Sequence, residues 1–528
     1  MAVQFIFGGS GRGKTYFLQH KIMEEAVKNP KKDYIMIVPE QFTMQTQKDM
    51  IRISPGHGIM NVDVQSFVRL AFRVFSETGA GNVQVLDDLG KIMILKKVLS
   101  NKKDDLKYFG RNINKDGYIS EIKSFMSELI QYGADENEIE KMIQASENKT
   151  VLKYKLQDMS VAFSAFKEYI DKNYITSEEL LSVFADVISQ SGLLNGAVIC
   201  LDGFTGFTPL QYRLLRELIK IAEKVYITVT ADERESVINK GKNYQLFFMS
   251  RKTVNNIRLI ASETGVEVLD DIWTGKEISQ TRFGSSKELE WLERNLFRYP
   301  YKRYNNGKEC EVSDISCHVL KYAEDEIDFV VQKIKRLLVN EGCRYRDIAI
   351  VAGSLETYGN IIEHAMKKAG IACFIDQKRG VQSSVLVRAI DALLQIIIKD
   401  FSYEDIMDYL KGCLSWTSDG QNDILDNYLL ATGIRGFKAW NREWNTSYAY
   451  RRMTDESKEF ANGIVENVRL SVIENLSGFY EKVAKGKHTV RDYATALVEF
   501  FERQHFYEKL MELADDYEEN ENFDMASE

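Results

Sequence analysis

Residues 8–15 read Gly-Gly-Ser-Gly-Arg-Gly-Lys-Thr, and they constrain this chain more than any other stretch of it. They fit G-x-x-x-x-G-K-[ST] and sit where that pattern has a physical meaning. The apolar run Val3 to Phe7 comes just before and stops at Gly8, as a buried strand does at a glycine loop. From Thr15 onward Phe17, Leu18, Ile22 and Ala26 recur at helical spacing before Pro30. Glycines let successive backbone N–H groups curl around an anion, and the following helix N-terminus adds partial positive charge. In such a loop Gly8, Gly9, Ser10, Gly11, Arg12 and Gly13 cradle the phosphates of ATP. Lys14 reaches the β- and γ-phosphates, and Thr15 offers a hydroxyl to Mg²⁺. A second apolar run, Tyr34 to Val38, stops at Pro39. Strand, loop, helix and strand in that order open an α/β fold with a parallel sheet.

The chain has 528 residues, too many for one ordinary domain at ~150 residues each. The remaining pattern divides it. Residues 1–85 and 196–296 read as a first phosphate-loop domain, with strands at Ala197–Leu201 and Val225–Thr230 and a helix carrying Leu210, Leu214 and Leu218. Between them, residues 86–195 read as a helical insertion with almost no strand signal. Phe297 to Lys308 reads as a connector. Residues 309–385 begin a second α/β unit, with strands expected at Ile315–Leu320, Ile348–Val351 and Ala372–Ile375 and helices at Asp325–Val339 and Thr357–Ala369. Residues 386–528 read as mostly helical, with an acidic tail from Asp515 to Glu528.

A phosphate loop needs a second strand that ends in a carboxylate. Val198-Ile199-Cys200-Leu201-Asp202 supplies it, and Asp202 is the Mg²⁺ candidate beside Thr15; the plainer reading is an Asp-Gly turn. In hydrolysing phosphate-loop motors a Glu commonly follows that Asp and polarises the attacking water. Here Gly203 follows, and glycine accepts no proton. No catalytic residue is therefore assigned.

With those residues in view, the chain resembles a family. Gly8–Thr15, Pro39-Glu40-Gln41-Phe42-Thr43, Gln65-Ser66-Phe67-x-Arg69-Leu70 and Leu201-Asp202-Gly203-Phe204-Thr205-Gly206-Phe207-Thr208-Pro209-x-Gln211 look like the B subunit of the bacterial Add-type ATP-dependent helicase–nuclease. Ile348–Val351 and Phe374-Ile375-Asp376-x-Lys378 resemble its second motor-like domain. The likeness runs to about residue 400 and less distinctly to about 500. It implies a superfamily-one helicase-like body with two parallel-sheet motor-like domains, each with a large helical insertion. It also implies pairing with a motor A subunit, contact with single- and double-stranded DNA, and resection of double-strand breaks for recombination while scanning for a recombination signal. An active motor of this type carries an Arg in the Ile350–Ser354 stretch, where this chain has Gly353. Such an arginine is worth ~10³–10⁵ in rate. The resemblance thus implies a nucleotide-holding body with little turnover. The family's nuclease domain holds a 4Fe–4S cluster through cysteines near its far C-terminus. This chain shows no such cysteine cluster, so neither the cluster nor the nuclease is expected in it.

The resemblance places single-stranded DNA near Phe42 and Thr43, an aromatic face and a hydroxyl, and near Gln65 and Ser66. Phe42 reads equally well as a core residue, and Ser66 as a helix cap. Arg298, Tyr299, Tyr301, Lys302, Arg303 and Tyr304 interleave charge and aromatics as a single-strand groove does, or simply form a solvated connector.

Composition limits the alternatives. With 69 Lys+Arg against 78 Asp+Glu the net charge is −9, so no chain-wide basic field exists, although a local groove remains possible. No apolar run reaches ~18 residues, so no membrane partner is expected. The start has no basic leader pattern, and none of the 6 cysteines lies in a C-x-x-C pair, which fits a bacterial cytoplasmic protein with reduced thiols. Two competing functions remain: a self-sufficient DNA-dependent ATPase or helicase, and a small-molecule kinase. Gly203 and Gly353 speak against the first. The wide separation of Lys14 from Asp202 and the second α/β unit speak against the second.

Overall fold

The structure, a computed structural model, describes the chain apart from residues 57, 59, 80–83, 111–114, 171–173, 239–240, 278–280, 285, 308–311, 378–380, 382–383, 445–453, 485, 521, 523–524 and 527–528. Lys308, Lys378 and Glu528 therefore lie outside the described residues. The chain divides into two units, Met1–His318 and Val319–Glu528.

The first unit holds all the strands found among the described residues. They are β1 (Ala2–Gly8), β2 (Tyr34–Ile37), β3 (Val62–Gln65), β4 (Gln84–Leu86), β5 (Tyr174–Thr176), β6 (Val198–Leu201), β7 (Lys224–Thr230), β8 (Glu267–Val268) and β9 (Ile272–Trp273). The main sheet runs β3-β2-β6-β7-β1-β8, with β9 also on β1. Every pairing in it is parallel. Its central strands are apolar on both faces because helices cover both. Val3, Phe5, Phe7, Ile35, Ile37, Ile199 and Leu201 pack on one side; Ile6, Tyr34, Met36, Val198 and Cys200 pack on the other.

Helices α1 (Lys14–Lys28) and α2 (Thr43–Ile53) cover the second face through Leu18, Ile22, Met23 and Met50. Helix α3 (Phe67–Thr78) lies on the first face, starting at the cap Ser66 and ending at left-handed Gly79. The sequence reading misses β3, β8 and β9. Val-Asp-Val-Gln alternates apolar and polar residues over only four positions, and the other two strands have two residues each, too short to show a period.

Residues 86–195 are helical, as expected, in α4 (Asp88–Asn101), α5 (Asp116–Gln131), α6 (Glu136–Ala145), α7 (Thr150–Ile170) and α8 (Leu180–Val187). The first four share a core around Leu95, Leu99, Ile122, Phe163 and Phe166, while α8 joins the main sheet's core through Leu180 and Phe184. The parallel β4–β5 pair is an addition to the helical expectation. Buried Asp158 on α7 accepts the N–H groups of Lys107, Tyr108 and Phe109 at 2.9, 2.7 and 2.8 Å and so pins the preceding loop. Beyond β6 come α9 (Pro209–Ile221), opened by a Thr208/Gln211 capping box, α10 (Phe248–Thr264) and α11 (Lys287–Asn295).

The second unit shows no strand among its described residues where a second parallel sheet was expected to begin. Its two expected helices form, as α12 (Ala323–Asn340) and α13 (Leu355–Ala369), packed through Ile327, Val331, Ile334, Ile362 and Met366. The three segments expected to be strands, 315–320, 348–351 and 372–375, pair with nothing among the described residues. Val319, Val351 and Phe374 are 93%, 94% and 89% exposed. An apolar run becomes a strand only when a neighbour satisfies its N–H and C=O groups, and no such neighbour lies beside these segments among the described residues. The rest of the unit is helical, from α14 (Val385–Ile398) through α15 (Tyr403–Leu410) and onward, around a core that includes Leu393, Phe401, Leu425 and Trp440.

Candidate functional site

The C-terminal end of β1 delivers the glycine loop. Gly11 and Gly13 take φ of 70° and 77°, a region where a Cβ is strained, and Gly13 precedes the first residue of α1. The Lys14 side chain folds back over the loop and donates to the carbonyls of Gly8 and Gly9 at 3.1 and 2.9 Å. Burial pulls its ammonium down to about 8. Asp202 and Glu293 pull it back up, and Arg282 pushes it further down. Thr15 is at the second position of α1, at the edge of the loop. Arg12 behaves differently from its loop neighbours. Its guanidinium is buried and turned to the carbonyl of Gly275 at 2.9 Å, to Glu293 at 3.2 Å and to Glu290 at 3.6 Å. Arg12 can thus offer a phosphate its backbone N–H, while its side chain ties the loop to α11.

The segment after β9 also grips the loop. Thr274 N–H bonds the Phe7 carbonyl at 2.9 Å and Arg282 N–H bonds the Gly11 carbonyl at 2.7 Å. A Cβ on Gly275 would sit 2.5 Å from that of Arg12, so this crossing requires glycine. Sequence reasoning misses Glu293 and Arg282. Both reach the loop from far along the chain, and nothing local in the sequence marks them.

Asp202 lies just past β6, buried, with its carboxylate accepting from the Thr228 hydroxyl at 2.6 Å. Strand β7 separates β6 from β1. Two strand spacings of ~4.8 Å put the carboxylate strand end roughly 10 Å from the loop strand, room for a terminal phosphate and a hydrated cation. Thr15 and Asp202 offer a hydroxyl and a carboxylate, hard oxygen donors that suit Mg²⁺ completed by phosphates and water. No group of three or more His, Cys, Asp or Glu side chains is placed to hold a metal by itself among the described residues.

Gly203 has φ of 79°, and a Cβ there would face Pro39 at 3.5 Å and Phe42 at 3.9 Å. The backbone at this position thus favours glycine in its own right, beyond the lack of a proton acceptor.

The three motif segments beyond the phosphate loop meet next to this strand end. Glu40 accepts from the Ser66 hydroxyl and, at 3.0 Å, from Arg69. Phe204 and Phe207 pack on Phe67 with ring centroids 5.4 and 6.5 Å away. Phe42 is 47% exposed, so its ring is a surface and not a core element. Thr43 is buried and its hydroxyl donates to the Glu40 carbonyl at 2.9 Å, which commits the donor expected for a DNA phosphate. Ser66 caps α3, accepting from Arg69 N–H at 3.3 Å. Gln65 donates to Asp63 at 2.7 Å and leaves its buried carbonyl oxygen without a partner among the described residues. In the connector, Arg298 is mostly buried against Asp232 at 2.9 Å and over the Phe247 ring, whereas Tyr299 and Tyr301 are exposed.

A parallel sheet covered on both faces, with a glycine–lysine loop at one strand end and a carboxylate two strands away, makes the first unit an α/β protein. The particular family follows from comparison with known proteins. The model of the AddB N-terminal family matches residues 5–293, and this chain belongs to that family. It is 39% identical over 513 residues to the B subunit of the ATP-dependent helicase/deoxyribonuclease of Lachnoclostridium phytofermentans, covering 97% of this chain and 44% of that protein. It is 32% identical to the corresponding B subunit from Clostridium novyi, covering 95% of this chain and 42% of that protein, and 31% identical to that from Acetivibrio thermocellus, covering 100% and 46%. The chain thus spans somewhat less than half the length of these curated relatives. No helix among the described residues is long and apolar enough to cross a membrane.

Proposed function

We propose that this chain is the ATP- and Mg²⁺-binding, single-stranded-DNA-binding body of the B subunit of a heterodimeric helicase–nuclease. In this reading it pairs with a motor A subunit in the bacterial cytoplasm. The complex acts on double-stranded DNA, resecting double-strand breaks for homologous recombination, and the B subunit scans the emerging strand for a recombination signal. Nuclease chemistry and its 4Fe–4S cluster are assigned to no residue of this chain.

The observation that carries the reading is the phosphate loop with Lys14 at its centre and Asp202 two strands away, followed by a left-handed Gly203. Lys14 exchanges two loop carbonyls for the β- and γ-phosphates. Thr15 and Asp202 steady the cation that accompanies them. No side chain at position 203 takes a proton from water, so nucleotide is held much longer than it is turned over. The half-exposed ring of Phe42 beside this strand end gives a base a stacking face.

ATP binding and turnover, each with and without single-stranded DNA, test the reading beside Lys14→Ala. A charge-assisted phosphate contact is worth up to ~3 kcal/mol, so Lys14→Ala should weaken ATP binding about 100-fold. Turnover should stay negligible with or without DNA. Brisk DNA-dependent hydrolysis would instead identify a self-sufficient motor.

A further inference from the structure

We infer that the cleft beside the phosphate loop holds a purine base, and that the tilted, closely packed rings of Tyr16 and His20 are its platform. The inference rests on the ATP-binding reading and adds the residues that hold the base. Tyr16 follows the loop directly, on the first turn of α1, and is 67% exposed. Its ring is nevertheless held in place. It packs on His20 with centroids 3.9 Å apart and 36° between planes, and His20 Nδ1 lies 2.9 Å from the Tyr16 carbonyl oxygen.

Core packing does not account for this pair. The residues of α1 that enter the core are Phe17, Leu18, Ile22, Met23 and Ala26. Tyr16 and His20 instead line a cleft of about 1110 Å³, whose other lining residues include Ile272, Thr274 and Arg282. That volume is ample for a nucleotide. The cleft is continuous with the loop, since Gly13, Lys14 and Thr15 line it too. Along the helix, six residues at 1.5 Å each place His20 about 9 Å beyond Lys14. A nucleotide whose phosphates occupy the loop therefore carries its sugar and base over this aromatic pair. The two-ring purine covers more of the platform than a pyrimidine does, and stacking strength follows the overlap.

Titration calorimetry with ATP, UTP and inorganic tripolyphosphate tests this on the chain itself, Tyr16→Ala, Tyr16→Phe and Lys14→Ala. ATP should bind more tightly than UTP. Tyr16→Ala should weaken ATP about tenfold, within the range of one aromatic–base stack, and leave tripolyphosphate unchanged. Tyr16→Phe should restore ATP binding, and thermal unfolding of all variants should match the parent. Equal losses for ATP and tripolyphosphate in Tyr16→Ala, or no loss for ATP, would overturn the platform while leaving the phosphate loop standing. If the parent chain binds neither ATP nor tripolyphosphate, or Lys14→Ala changes neither, the nucleotide reading fails and the platform with it.

Discussion

Val198–Leu201 and Ile348–Val351 are both four-residue apolar runs, yet they have opposite fates. The first is β6, buried on both faces between β2 and β7, with Leu201 1% exposed. The second pairs with nothing among the described residues and leaves Val351 94% exposed. Side-chain chemistry cannot explain the difference, because both runs are rich in isoleucine and valine. The difference lies in the neighbours. Strand β6 receives a ladder from each side and a helix over each face, whereas 348–351 has no ladder among the described residues and packs on the α12–α13 core through Ile348. An apolar run states a capacity for pairing, and the ladder decides whether that capacity is used. Chemistry follows the same division. The phosphate loop and Asp202 both sit at ends of strands locked into the sheet, which is what holds them in register across β7.

Three measurements press on this contrast. The largest effect is expected in hydrogen exchange. Amides of Ile199 to Leu201 should exchange on the order of 10³-fold more slowly than those of Ala349 to Val351, because the former open only when the sheet opens. Comparable rates in the two segments would break the comparison.

Next comes a pair of truncations. Leu218 on α9 is fully buried against the sheet, so Leu218→Ala should cost about 3 kcal/mol in denaturant unfolding of the first unit. Val351→Ala should stay within about 0.5 kcal/mol, as exposed substitutions do. A large loss from Val351→Ala would show that the second segment is paired in solution.

The smallest effect concerns the site that the locked sheet carries. In the proposed reading phosphate binds the protonated Lys14, whose pKa burial lowers to about 8. Below that pH the ammonium is already charged and nucleotide affinity should be flat. Above it, each pH unit should weaken binding about tenfold, because a proton must first be taken up. An ordinary lysine would keep affinity flat to about pH 10. A calorimetric titration between pH 6 and 10, flat throughout, would therefore place Lys14 in water and not in the buried loop.

Much of the first unit was legible because its signals are local. Glycines at fixed spacing, an apolar run before them and a helical period after them require no distant partner to be read. The same holds for the cap Ser66 and for the strand that ends at Asp202. Other features were not legible because they depend on contacts between distant residues. Thr43 reads as a free hydroxyl until the Glu40 carbonyl claims it, and Arg12 reads as one more loop residue until Glu290 and Glu293 bury its guanidinium. Phe42 reads equally well as core or surface until the helix it precedes is placed.

The amino-acid sequence by itself determined the glycine loop, the strand–loop–helix order around it, the helical character of residues 86–195 and the absence of a proton acceptor at position 203. Each of these is set by backbone preferences and side-chain periods within a few residues. Only the tertiary structure decided which apolar runs become strands, that Glu293 and Arg282 face Lys14, and that Tyr16 and His20 border an open cleft. Those outcomes turn on which ladders, charges and surfaces come within a few ångströms of one another, and in a parallel sheet such neighbours are brought together from far apart in the chain.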